Sequence, residues 1–123
     1  MDTLLVSGKD ASLSNFEEWL EENGVRIVRV ASGRTALEYI SDKNFELVIA
    51  DEKIKDMTGL ELVGKVIAKQ PMMNFAVISG LTPEDFHEAS EGLGVLMQLP
   101  IMPDRTHAKI LLKKLKSILR QTK

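Results

Sequence analysis

Five short apolar runs, each followed by a segment of helical period, constrain this chain more tightly than any other feature of its sequence. The runs TLLV, VRIVRV, ELVIA, NFAVIS and GVLMQL are rich in Val, Ile and Leu and bounded by turn residues, as strands covered on both faces should be. In ASLSNFEEWLEENG, Leu13, Phe16 and Leu20 share a face, the glutamates point away, and Gly24 supplies a stop. GRTALEYISDKN places Leu37 and Ile40 together, and GLELVGKVIAKQP places Val63, Val66 and Ile67 together before Pro71 ends it. TPEDFHEASEG starts with Thr82 as cap and Pro83 at the first helical position, where a missing N–H costs nothing. DRTHAKILLKKLKSILRQ puts Ala108, Leu111, Leu112, Leu115, Ile118 and Leu119 on one stripe. This alternation predicts an α/β fold, a doubly wound three-layer sandwich around a five-stranded parallel sheet. Sites in such folds lie at the carboxyl ends of the strands, here Ser7 and Gly8, Asp51, Ser79 and Gly80, and Leu99 and Pro100.

At 123 residues the chain has the size of one domain. A chain without cysteine excludes disulfides, thiolate zinc sites and a cysteine nucleophile. No apolar run approaches the about 18 residues of a membrane span, and the N-terminus lacks the pattern of an export signal. A cytoplasmic location is expected. Net charge is −2, yet residues 105–123 carry 7 basic and no acidic side chains, while residues 1–104 carry 9 basic and 18 acidic ones. The last helix is therefore cationic on an acidic body. A solvated face suited to the helix dipole explains it; contact with nucleic acid or an anionic membrane is the competing reading.

Gly8-Lys9 after the first strand suggests a phosphate loop, but that motif requires a glycine where Thr3 stands and a hydroxyl residue where Asp10 stands. His87 and His107 read as isolated surface histidines rather than metal ligands. Ser7 and Ser79 have no paired base in sequence. Met72, Met73 and Met97 read as core filler, and Trp19 as half-buried packing.

One stretch goes further. In FELVIADEKIKDMTGLELV a buried strand ends in Asp51, and eight residues later Gly59 opens the next helix with Met57 just ahead of it. This resembles the receiver domain of two-component response regulators (CheY-like), whose third strand ends in a phospho-accepting aspartate. AVISG resembles the fourth strand of that family, ending in the switch hydroxyl, here Ser79, with the small Gly80 after it. EGLGVLMQLPI resembles the approach to the fifth strand, with Gly92, Pro100 and Ile101 in their usual places. The resemblance covers the whole chain as a single domain, 1–123, which is equally compatible with a segment of a longer regulator, and it implies strand order 2-1-3-4-5.

The active-site set of the family is depleted. The acidic pair that binds magnesium is replaced by Ser7 and Gly8, the lysine of the fifth strand by Leu99, and the aromatic switch residue by Leu96. Lys53 and Lys55 also depart from the family loop. Asp51 and Ser79 survive. Magnesium usually takes two carboxylates or substrate phosphate, so its binding is expected to be weak or absent; Asp10 has a sufficient role as helix cap. Residues two apart in an extended segment face the same way, which makes Lys53 a candidate charge substitute beside Asp51, against the plainer reading of a solvated lysine.

The resemblance thus implies a degenerate receiver (pseudo-receiver), a regulatory interaction domain and not an enzyme. Its partners would be an output domain or protein at the surface of the fourth helix, fifth strand and fifth helix, a second copy, or a histidine kinase. Slow phospho-acceptance at Asp51 is the alternative.

Overall fold

The computed structural model describes residues 1–8 and 13–121. Strands β1 (Asp2–Val6), β2 (Arg26–Val30), β3 (Leu47–Ala50), β4 (Phe75–Ile78) and β5 (Met97–Leu99) alternate with helices α1 (Ser14–Glu22), α2 (Gly33–Asp42), α3 (Gly59–Ile67), α4 (Pro83–Ala89) and α5 (Arg105–Gln121). All strands are parallel, in the order β2-β1-β3-β4-β5. The expected doubly wound sandwich is the architecture found.

Alternation along the strands divides the core in two, because successive side chains leave opposite faces of a sheet. Leu4, Val6, Val48, Ala50, Phe75 and Val77 join Ala36, Ile40, Leu62, Val63, Val66 and Phe86 on the α2, α3 and α4 side. Leu5, Leu47, Ile49, Ala76, Ile78 and Leu99 join Phe16, Leu20, Ala108, Leu111 and Leu115 on the α1 and α5 side. Trp19 packs half-buried against this second cluster. Coverage thins at the two edge strands: Arg26 and Arg29 of β2 are exposed, and Met97 and Gln98 of β5 are half-buried. Arg29 pairs with Glu17 of α1.

Local signals fix the helix ends. Ser32 caps α2, and its hydroxyl accepts from Thr35 N–H. Thr58 and Glu61 close a capping box at α3, while Thr82 caps α4 with Pro83 at its start. Gly24, at φ +87°, turns the chain after α1 in a conformation that favours glycine. The cap expected of Asp10 falls outside the described residues. One apolar expectation is corrected. Met72 is 81% exposed, because it sits on the turn after α3 rather than in the core, whereas Met73 and Met97 pack against the two clusters.

Helix α5 gives its apolar stripe to the core, with Leu111 fully buried. Its opposite side exposes Lys109, Lys113, Lys116 and Arg120, at spacings that share one helix face. No helix of the described residues is long and apolar enough to cross a membrane.

Candidate functional site

Parallel β1, β3 and β4 end at one rim of the sheet and bring Ser7, Asp51 and Ser79 to it. Asp51 leaves β3 with its N–H bound to the Val6 carbonyl, 3.0 Å. Ser7, 5% exposed, leaves β1 beside it and donates from Oγ to Asp51 Oδ2 at 3.1 Å. The N–H of Glu52 donates to Asp51 Oδ1 at 2.8 Å. Neutral donors thus engage both carboxylate oxygens. Gly8 is exposed, with open space where a side chain would extend.

Ser79 meets Glu52 instead of Asp51. Its Oγ accepts from Leu81 N–H at 3.1 Å and donates to Glu52 Oε1 at 3.4 Å. The same Glu52 oxygen accepts from Gly80 N–H at 2.9 Å. From the other side, Gln98 Nε2 donates to the Ser79 and Leu81 carbonyls at 3.2 and 2.8 Å. Neither Glu52 nor Gln98 was singled out in the sequence. Gln98 had a signal, as the lone amide in the apolar run GVLMQLP; Glu52 had none beyond its place next to Asp51.

Leu99 is fully buried in the α1 and α5 cluster. The end of β5 therefore extends the core where a cation was looked for, and a charge there would be desolvated. Leu96 packs half-buried against the same cluster, held by its N–H to the Phe75 carbonyl at 2.8 Å.

The proposed approach of Lys53 to Asp51 is corrected: among the described residues no ion pair joins them. The extended geometry of β3 stops at Ala50. The backbone of Lys53 instead pairs with Thr58 across the loop, and its side chain is exposed.

The same loop is tethered to α2. Asp56 accepts from the N–H groups of Gly33 and Arg34, at 2.7 and 3.0 Å. The Gly33 N–H holds the Asp56 carboxyl below its ordinary value; desolvation opposes this, and the Arg34 N–H adds to the lowering. A Cβ on Gly33 would run into the Met57 side chain. His87 is exposed, and His107 Nδ1 lies 2.9 Å from Asp104. No cluster of three or more His, Cys, Asp or Glu among the described residues could hold a metal ion. Among the described residues the rim carboxylates are Asp51 and Glu52, and both are already engaged by protein donors, a set that does not match the free oxygen ligands magnesium demands.

The sequence profile of the response regulator receiver domain matches residues 3–100. The chain belongs to the response regulator receiver family. It is 35% identical, over 83 residues, to the uncharacterized transcriptional regulatory protein YesN of Bacillus subtilis (strain 168). The match covers 68% of this receiver chain and 23% of that protein, so the chain spans less than a quarter of its length. A receiver domain from Methylobacillus flagellatus is 26% identical, with a TM-score of 0.80 and coverage of 94% of this chain and 98% of that one. The chemotaxis response regulator CheY4 of Vibrio cholerae, 19% identical, superposes with a TM-score of 0.83 over 93% of this chain and 97% of its own. A receiver domain from Clostridium thermocellum, 16% identical, reaches 0.85 over 99% and 98%. The last two likenesses are of fold.

Proposed function

We propose that this receiver is degenerate: a regulatory interaction module of two-component signalling, not an enzyme, that works without ordinary magnesium-dependent phosphorylation of Asp51. The observation that carries this reading is the engagement of both Asp51 oxygens by Ser7 Oγ and Glu52 N–H, in a rim whose other described carboxylate, Glu52, is turned to Ser79 and Gly80. Phosphoryl transfer is mostly positioning and charge neutralisation. Each lost charge donor costs on the order of a hundred- to thousandfold in rate, so loss of both metal and lysine slows the reaction by roughly ten-thousandfold or more if the effects multiply.

Output then runs through protein contact in the cytoplasm, at the face of α4, β5 and α5, with an output domain, a second copy or a histidine kinase as partner. Ile110, 42% exposed, is an exposed apolar side chain on α5. The name of the Bacillus relative, a transcriptional regulatory protein of which the matched segment is a minor part, supports control of a separate output. The test is incubation with a small phosphodonor and magnesium, followed by intact mass. We expect no phosphoryl adduct; an adduct abolished in Asp51→Asn would establish the slow phospho-acceptor instead.

One observation favours a second reading, contact with nucleic acid through α5. Lys109, Lys113, Lys116 and Arg120 face solvent on one side of the helix, with no ion-pair partner among the described residues. The apolar stripe of Ala108, Leu111, Leu112 and Leu115 is buried in the core and so is not available to a membrane. Steeply salt-dependent DNA binding would support this reading, and no binding at low salt would remove it.

A further inference from the structure

We propose that Glu52 is a built-in anion that fixes the loop between β4 and α4, residues 79–82, in one state, occupying the donors that a group added to Asp51 would need. The inference rests on the receiver reading of the rim, in which Ser79 is the hydroxyl that would answer such a group. Two donors converge at the end of β4, the Ser79 hydroxyl and the Gly80 N–H, and both point at Glu52 Oε1, at 3.4 and 2.9 Å. A serine hydroxyl has one proton. That proton is committed to Glu52, and Ser79 Oγ also accepts from Leu81 N–H at 3.1 Å, so no donor is left to turn toward Asp51.

The carboxylate belongs to the residue next to Asp51, and its own N–H holds Asp51 Oδ1 at 2.8 Å. Release of Glu52 would disturb both sides of the rim together. The loop is also fastened from behind: Gln98 holds the Ser79 and Leu81 carbonyls, and Ile101 lies 3.4 Å from where a Cβ on Gly80 would stand. Of these ties only the one from Glu52 carries charge, and hydrogen bonds to an ionised acceptor are the strong ones. An oxyanion arriving from Asp51 would have to displace Glu52 against like charge. A tethered carboxylate therefore does permanently what a transient anion does in a switch, and also bars that anion.

The experiment compares the whole chain, Glu52→Gln and Glu52→Ala by amide NMR. In Glu52→Ala the Gly80 N–H should shift and exchange with solvent at least about tenfold faster, the size of a charge-assisted hydrogen bond. Residues 80 and 81 should then acquire microsecond-to-millisecond exchange broadening that is flat in the parent. Glu52→Gln, which keeps an oxygen acceptor without the charge, should fall between the two, and carries the test if Glu52→Ala does not fold. Gly80 protection within about twofold of the parent in the folded variants, or loop broadening already present in the parent, would overturn the proposal. Phosphoryl adduct formation on the parent bears on the proposed function alone, so the two can fail separately.

Discussion

Gly59 lies so close to Asp51 that a methyl group on its Cα would overlap the Asp51 carbonyl oxygen. Unlike the Met57 side chain facing Gly33, that obstacle is backbone, and it belongs to the residue at the centre of the rim. The close approach is held by the Gly59 N–H on the Glu52 carbonyl at 3.1 Å. Glycine is required here by space; its φ is not in the left-handed region. Gly59→Ala should destabilise the fold by about 1–3 kcal/mol, as overpacking does. Gly64→Ala, later in the same helix and with open space around its Cα, should instead stabilise by roughly 0.5–1 kcal/mol. Urea unfolding midpoints of the two variants should move in opposite directions.

Ser7→Asp would place a second carboxylate against Asp51 and remove the hydroxyl that donates to it. Without metal, like charge and the lost hydrogen bond should cost roughly 1–3 kcal/mol. Magnesium should restore this by mass action on the folded state. Unfolding of the parent chain should be indifferent to millimolar magnesium, while Ser7→Asp recovers with it; equal stabilisation of both by magnesium would contradict the reading of the rim. Gly8→Asp, in open space, should fold without penalty and strengthen the response when combined with Ser7→Asp.

Asp56 links stability to acid. Its carboxyl titrates below the ordinary 3.8 in the folded chain, chiefly because the Gly33 N–H binds the ionised form. A folded value below the unfolded one means that the contribution is fully present above 3.8 and is lost as pH falls through the folded value. Asp56→Asn should therefore lower the urea midpoint at neutral pH by an amount that stays constant on mild acidification. Below the ordinary carboxylate range the two proteins should converge. A difference that grew toward acid would refute the assignment.

The fold was legible because its signals are local and repeated. Apolar runs of strand length, the Thr82-Pro83 helix start and the Gly24 and Pro71 stops each specify structure within a few residues, and they agree with one another. The rim was legible in part. Asp51, Ser7 and Ser79 sit at strand ends, where chain alternation and fold topology dictate position. Glu52 and Lys53 lie one and two residues beyond Ala50, where period two no longer governs side-chain direction. The alternation rule, carried past the strand, sent Lys53 toward Asp51 and overlooked Glu52, while the Lys53–Thr58 bridge sets the actual course of the loop. Gln98 is marked as a lone amide in an apolar run, but its role is not, because its partners are backbone carbonyls on another strand's loop, which no spacing within one segment reveals. Met72 shows the same limit, since apolarity alone does not tell a core position from a turn.

The basic side of α5 has a kinetic consequence. Because Lys109, Lys113, Lys116 and Arg120 share one side of a molecule whose net charge is −2, the domain behaves as an oriented dipole and not as a weakly anionic sphere. Near an anionic surface it should rotate so that α5 leads, raising the fraction of productive encounters rather than the strength of the final complex. That bias reaches only about 8 Å at physiological ionic strength, so it acts in the last step of approach, after diffusion has brought the two surfaces together.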